Sequence, residues 1–115
     1  MQKNEAKEIL DKYNTQINHL VEQRKFFIEY NAYLFAEFKI GEKVINKETL
    51  ELGIVEAPYQ YTYGNPNTVR FWEKFNIHCN IKLVNSKFES RNITANTSCY
   101  GDEHPWMKLS DWRER

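Results

Sequence analysis

Phe38-Lys39-Ile40-Gly41-Glu42-Lys43-Val44 is the stretch at which this chain changes rhythm. Upstream of it, Leu10, Tyr13, Ile17, Leu20, Phe27, Leu34 and Phe38 recur at alternating steps of three and four, with Arg24 and Asn31 in the remaining seam slots. That period lines apolar side chains along one stripe of a helix. Downstream, short runs of period two are separated by Gly, Pro and Asn, which is the pattern of short strands. The reading is an α+β chain: a long N-terminal helix followed by a small antiparallel barrel or curled sheet. The expected division is a helical arm over 1–37 and a β-domain over 38–115.

The helical part has its own signals. Asn4 is placed to cap the first turn, and Glu5, Glu8 and Asp11 suit the positive end of the helix dipole. Glu8 and Lys12 form an i,i+4 pair in the favourable order. No Gly or Pro occurs before Gly41, so nothing in the sequence forces a break before Glu37. At ~1.5 Å per residue such a helix reaches on the order of 50 Å. Either it bends back near Tyr30-Asn31-Ala32-Tyr33, or it projects and meets a partner. Val21, Ile28 and Phe35 widen the stripe beyond a two-in-seven seam, which favours burial against a sheet or in a multi-helix bundle. Arg24 and Asn31 either fix the register of a coiled coil or lie at the margin of a stripe covered by the chain's own sheet. Several Leu and Phe side chains, each worth ~1.5–3 kcal/mol on burial, would not stay in water. Leu10, Ile17, Leu20, Phe27 and Leu34 are therefore the expected oligomer interface.

In the second part, strands are expected over 43–46, 53–57, 59–63, 68–72, 75–84, 93–100 and 106–109. Gly64-Asn65-Pro66-Asn67 and Gly101-Asp102-Glu103-His104-Pro105 read as turns, 85–92 reads as a loop, and Ser110 onward as a short helical or frayed tail. The strongest strand is 75–84, where Phe75, Ile77, Cys79, Ile81 and Leu83 alternate with polar residues up to Val84. No internal repeat is present.

Three pieces of this region carry a resemblance. Phe38-Lys39-Ile40-Gly41-Glu42-Lys43-Val44, then Gly53-Ile54-Val55, then Val69-Arg70-Phe71 resemble the opening strands of an SH3-like barrel of the KOW or Tudor type, covering about a third of the chain. The resemblance implies a binding or assembly module and names no ligand. The stretch from Glu73 to the C-terminus is longer than such barrels need.

Composition narrows the function classes. The 115 residues are 41% hydrophobic and 15% aromatic, enough for a packed core. Sixteen Lys and Arg balance sixteen Asp and Glu. Up to Glu37 there are five basic and six acidic residues, and eleven and ten follow. Neither part has the basic footprint of a nucleic-acid binder. No run approaches the ~18 apolar residues of a membrane span, and residues 1–8 lack an apolar signal region. The expected location is the cytoplasm, with Cys79 and Cys99 as free thiols. Asn92-Ile93-Thr94 and Asn96-Thr97-Ser98 match the glycosylation pattern, which carries meaning only on secretion. The abundance of Asn, Lys, Ile, Tyr and Phe suggests an AT-rich genome, bacterial or of a mobile element.

Four arrangements bear on chemistry. If the loop is residues 64–67, Tyr63 faces Thr68, Tyr61 faces Arg70 and Tyr59 faces Trp72. Tyr59, Tyr61, Tyr63, Arg70 and Trp72 then share one sheet face, able to stack bases, hold prolines or cage a cation. The opposing reading is that this face packs under the helix, with Tyr and Trp keeping a polar tip wet. His78, Cys79, Cys99 and His104 invite a zinc site, but adjacent His78 and Cys79 point to opposite strand faces and no paired-ligand spacing is present. A Cys99 nucleophile with His104 or His78 as base lacks any family motif around it. Asp102 and Glu103 lie in a polar turn and read as solvated.

The expectation is a small non-enzymatic interaction module that needs no cofactor or metal. Its helix docks onto a second copy or a partner protein, and its β-domain displays a surface. The alternative is a nucleic-acid-associated accessory protein using the Tyr59 to Trp72 face, and a more distant one is a thiol or zinc enzyme. On the thiols, Cys79 is expected to be inert on the apolar strand face and Cys99 modifiable beside the turn.

Overall fold

The computed structural model describes residues 1–64, 70 and 73–113. The chain forms two compact units, Met1–Tyr30 and Asn31–Arg115.

The first unit is helix α1, Lys3–Tyr30. Its first bond runs from the Ala6 N–H to the Gln2 carbonyl at 3.1 Å, so Asn4 lies inside the first turn and not at the cap. Lys25 and Glu29 make an i,i+4 ion pair at 3.9 Å, part-exposed and worth only tenths of a kcal/mol. The helix is interrupted at Asn31, within the stretch 30–33 where a bend is one of the two expected courses; Asn31, a polar seam residue, adopts φ −106 and ψ 18. A single turn, α2 (Ala32–Phe35), follows, closed by Leu34 N–H to Asn31 O and Ala36 N–H to Ala32 O, both 2.9 Å. Ala36 is extended, and the helical segment ends there.

The second unit is built on a five-stranded antiparallel sheet. Its strands are β1 (Lys43–Asn46), β2 (Leu52–Tyr63), β3 (Phe75–Val84), β4 (Ser90–Tyr100) and β5 (Trp106–Lys108), followed by α3 (Leu109–Arg113). The order is β4-β3-β2-β1-β5, so β1 pairs with both β2 and β5. The sheet is curled and not closed: of the two expected forms, barrel or curled sheet, the second is present.

The alternation over 75–84 produces the expected buried face. Ile77, Cys79, Ile81 and Leu83 are buried, and Phe75 at the strand end is half-buried. Val44, Val55, Phe38 and Trp106 complete the core. β1 is buried at Val44, Ile45 and Asn46 together, and α3 packs against it through an element that begins at buried Leu109. Gly53, paired with Val44 and Leu83, is required by packing: a Cβ there would overlap the Ile81 Cγ2 methyl and press on the Lys82 carbonyl oxygen.

Two turns use one device. Asn46 Oδ1 accepts from the N–H groups of Glu48 and Thr49 at 2.9 and 3.1 Å, between β1 and β2. Asn85 Oδ1 accepts from Lys87 and Glu89 at 2.9 and 3.0 Å, between β3 and β4. In each the amide side chain replaces ladder partners that the reversing backbone has lost.

The strands expected over 53–57 and 59–63 are one strand. Glu56 pairs with Asn80 and Gln60 with His78, so four residues of β2 span two of β3. Pro58 lies within this bulge, where its missing N–H removes no ladder bond.

Candidate functional site

The exposed row of α1 is the first candidate. Leu10, Tyr13, Ile17, Leu20 and Phe27 run along one side of the helix and are 49–62% exposed. Beside them Val21 and Arg24 are half-buried and Ile28 is buried. Arg24 interrupts the exposed row between Leu20 and Phe27. Leu34, expected in the same interface, belongs to α2 in the second unit and is also exposed.

The aromatic sheet face is organised differently from the expectation. Tyr63 pairs with Phe75 and Tyr61 with Ile77, so 59–63 is laddered to β3. The Gly64 N–H donates to the Lys74 carbonyl at 3.0 Å and closes the connection there. A four-residue loop looks sufficient in the sequence because 68–72 carries strand-like residues. Trp72, Thr68, Val69 and Phe71 lie outside the described residues. Arg70 is exposed at φ 63 and ion-pairs with Glu73 in its own connection.

Tyr61 and Tyr63 share the inward face with Phe75 and Ile77 and pack edge to face at 5.0 Å. Phe75 stacks on Tyr61 at 5.7 Å and on Tyr100 at 5.0 Å, and Phe35 of α2 meets both Phe75 and Tyr100 edge-on. Tyr59 donates its hydroxyl to the Phe38 carbonyl at 2.6 Å. Burial, then the nearby thiols Cys99 and Cys79, push the Tyr59 phenol above its ordinary value. These rings engage one another as a half-buried layer at one end of the sheet. A shallow groove of about 640 Å³ beside them is lined by Lys74, Asn76, Gly101 and Asp102 among others. Sequence reading missed Tyr100 as a member of this layer, where the only signal was an aromatic at the strand end, and read Phe35 only as part of the helical stripe favouring burial against a sheet.

The titratable groups fall in two places. His78 is half-buried on the outer face, opposite Gln60 and Ser98, while Cys79 is buried on the inner face. A register shift between Ile77/His78 and the facing strand makes Cys99 the extra residue of β4. Thr97 lies opposite Cys79 on the inner face, and Cys99, two residues on, shares that face at 1% exposure, which corrects the expectation of a modifiable Cys99. A hydrogen bond with Cys79, then burial, pushes the Cys99 thiol far up. His104 lies elsewhere. Its Nδ1 accepts from the Trp106 N–H at 3.2 Å, so Nε2 carries the hydrogen and donates to Glu37 Oε2 at 2.7 Å. Both ring nitrogens are engaged, and neither is open to take a proton from Cys99. Asp102 accepts from the Asn76 amide at 3.0 Å and serves the turn. Among the described residues no group of three or more His, Cys, Asp or Glu is arranged to hold a metal ion, and no helix is long and apolar enough to cross a membrane.

No protein-family model, curated protein or solved structure matches this chain.

Proposed function

We propose that this chain is a small non-enzymatic interaction and assembly module that engages its partner through the exposed apolar row of α1. The observation that carries the reading is the row itself. Leu10, Tyr13, Ile17, Leu20 and Phe27 are about half or more exposed on one side of a single helix. Each large apolar side chain gains ~1.5–3 kcal/mol on burial, so the row is a strong driver of association. The resemblance of the strand openings to SH3-like barrels of the KOW or Tudor type belongs to the same class of function. We place the module in the cytoplasm, where Cys79 and Cys99 stay as thiols. A nucleic-acid role has less support, because the Tyr61 and Tyr63 rings pack on neighbouring rings and Arg70 is paired with Glu73.

The test is mass in solution at micromolar concentration, by light scattering, for the native chain and for Leu20→Asp. The native chain is expected in a complex, with itself or with a co-purified protein, and Leu20→Asp is expected to lose it while keeping its helical circular dichroism. Equal complex formation by both would overturn the reading.

A further inference from the structure

We infer that His104 is a proton-operated latch on the edge strand β5: its neutral ring holds the start of the strand through the Trp106 N–H, and a proton on Nδ1 releases it. The device is independent of the α1 row.

Hydrogen-bond chemistry fixes the state of the ring. A backbone N–H can only donate, so Nδ1 keeps a lone pair, and the ring is neutral, while the 3.2 Å bond from Trp106 is made. Nε2 then carries the ring's single hydrogen, and Glu37 Oε2 accepts it at 2.7 Å. A further proton has only Nδ1 to occupy. It turns the acceptor into a second N–H aimed at the Trp106 N–H, donor against donor, in a side chain that is 10% exposed. Imidazole is the side chain whose ordinary chemistry puts this change between about pH 5 and 8.

The surrounding charges leave that contact as the one that changes. Glu37 from the segment after α2, Lys47 from just beyond β1, Asp102 and Glu103 from the ring's own turn, Lys108 from β5 and Asp111 from α3 line the cleft around the ring. Among these, Glu37 makes the bond to the ring, and its carboxylate accepts from Nε2 in both charge states. The Phe38 ring packs edge-on against the imidazole at 5.3 Å.

β5 has few other holds. It is three residues long and pairs with β1 at Val44, Ile45 and Asn46, and the Lys47 N–H donates to the Pro105 carbonyl at 2.7 Å just before it. Short elements with few bonds are the ones that open locally. Loss of the Trp106 bond therefore frays β5 from β1 starting at Trp106, a side chain that is buried in the closed state.

Amide exchange read by NMR on the full chain, at about pH 8 and pH 5, decides it. The readout is protection of the Trp106 N–H relative to that of Ile81 in the middle of β3. The native chain is expected to lose Trp106 protection about tenfold or more in acid, as an unmade bond to a part-buried donor requires. His104→Asn keeps an acceptor oxygen two residues before the donor, as in an Asx-turn, and takes up no proton. It is expected to hold the Trp106 N–H equally at both pH values, whereas His104→Leu is expected to show the low protection at both. Nitrogen-15 shifts of the native ring are expected to show a hydrogen on Nε2 alone at the higher pH and on both nitrogens at the lower. Trp106 protection indifferent to acid in the native chain, a loss as large in His104→Asn, or a ring still singly protonated at the lower pH would each overturn the latch.

Discussion

His104 Nε2 donates to Glu37 Oε2 at 2.7 Å, tying the segment after α2 to the turn before β5 across 67 positions of sequence. The carboxylate is 53% exposed and the imidazole 10%. The value of the contact therefore lies less in charge than in the imidazole's second bond, the one that satisfies the part-buried Trp106 N–H. His104→Leu is expected to cost about 1–3 kcal/mol by orphaning that donor. Glu37→Gln is expected to cost under ~1 kcal/mol. Urea midpoints at unchanged slope measure both, and equal losses would assign the latch to charge.

Two glycines should fail for different reasons. Gly53→Ala places a methyl into Ile81 Cγ2 in the middle of the core, with an expected loss of about 1–3 kcal/mol. At Gly41 an added methyl would meet nothing within 4 Å, but the residue holds φ +88, so Gly41→Ala should cost about 1–2 kcal/mol through backbone strain alone. Substituting Asn, which tolerates positive φ, should recover stability at position 41 and not at 53. Thermal melts of the four variants compare them.

Tyr59 links alkaline stability to one hydroxyl. Its phenol is raised above 10.0 in the folded state, chiefly by desolvation. In the window above 10.0 the folded chain then binds more protons than the unfolded one, so stability is full below that pH and falls as pH rises through the folded value. Tyr59→Phe should lose about 1 kcal/mol at neutral pH with the bond to Phe38. It should also show a shallower decline above pH ~10. An unchanged alkaline slope would remove Tyr59 from the account.

Neither Cys79 nor Cys99 should react with a small alkylating reagent under native conditions, because both are almost fully buried. Both should react once the chain is unfolded in urea. Mass spectrometry of the intact protein counts the adducts. Rapid native labelling of Cys99 alone would mean that the β4 bulge opens.

The legible parts of this fold are those governed by local backbone geometry. The period-two run from Phe75 to Leu83 defines β3 and its buried face, because successive strand residues must point to opposite sides. The three-and-four rhythm defines α1 and the row it presents. Asn46 and Asn85 lie where the chain reverses, as their self-bonding side chains favour. Tertiary structure alone decided which partner each element took. Nothing in 59–63 by itself names β3 as its neighbour; that pairing continues the ladder that already runs from Leu52 opposite Val84. Cys99 reads as an edge-of-turn residue until the pairing of Thr97 with Cys79 places it on the buried face beside that thiol. Glu37 and His104 become neighbours only because β5 returns to β1. Sequence sets periods and turns through interactions a few residues long, whereas registers, bulges and buried pairs are set by the shared packing of strands far apart in the chain.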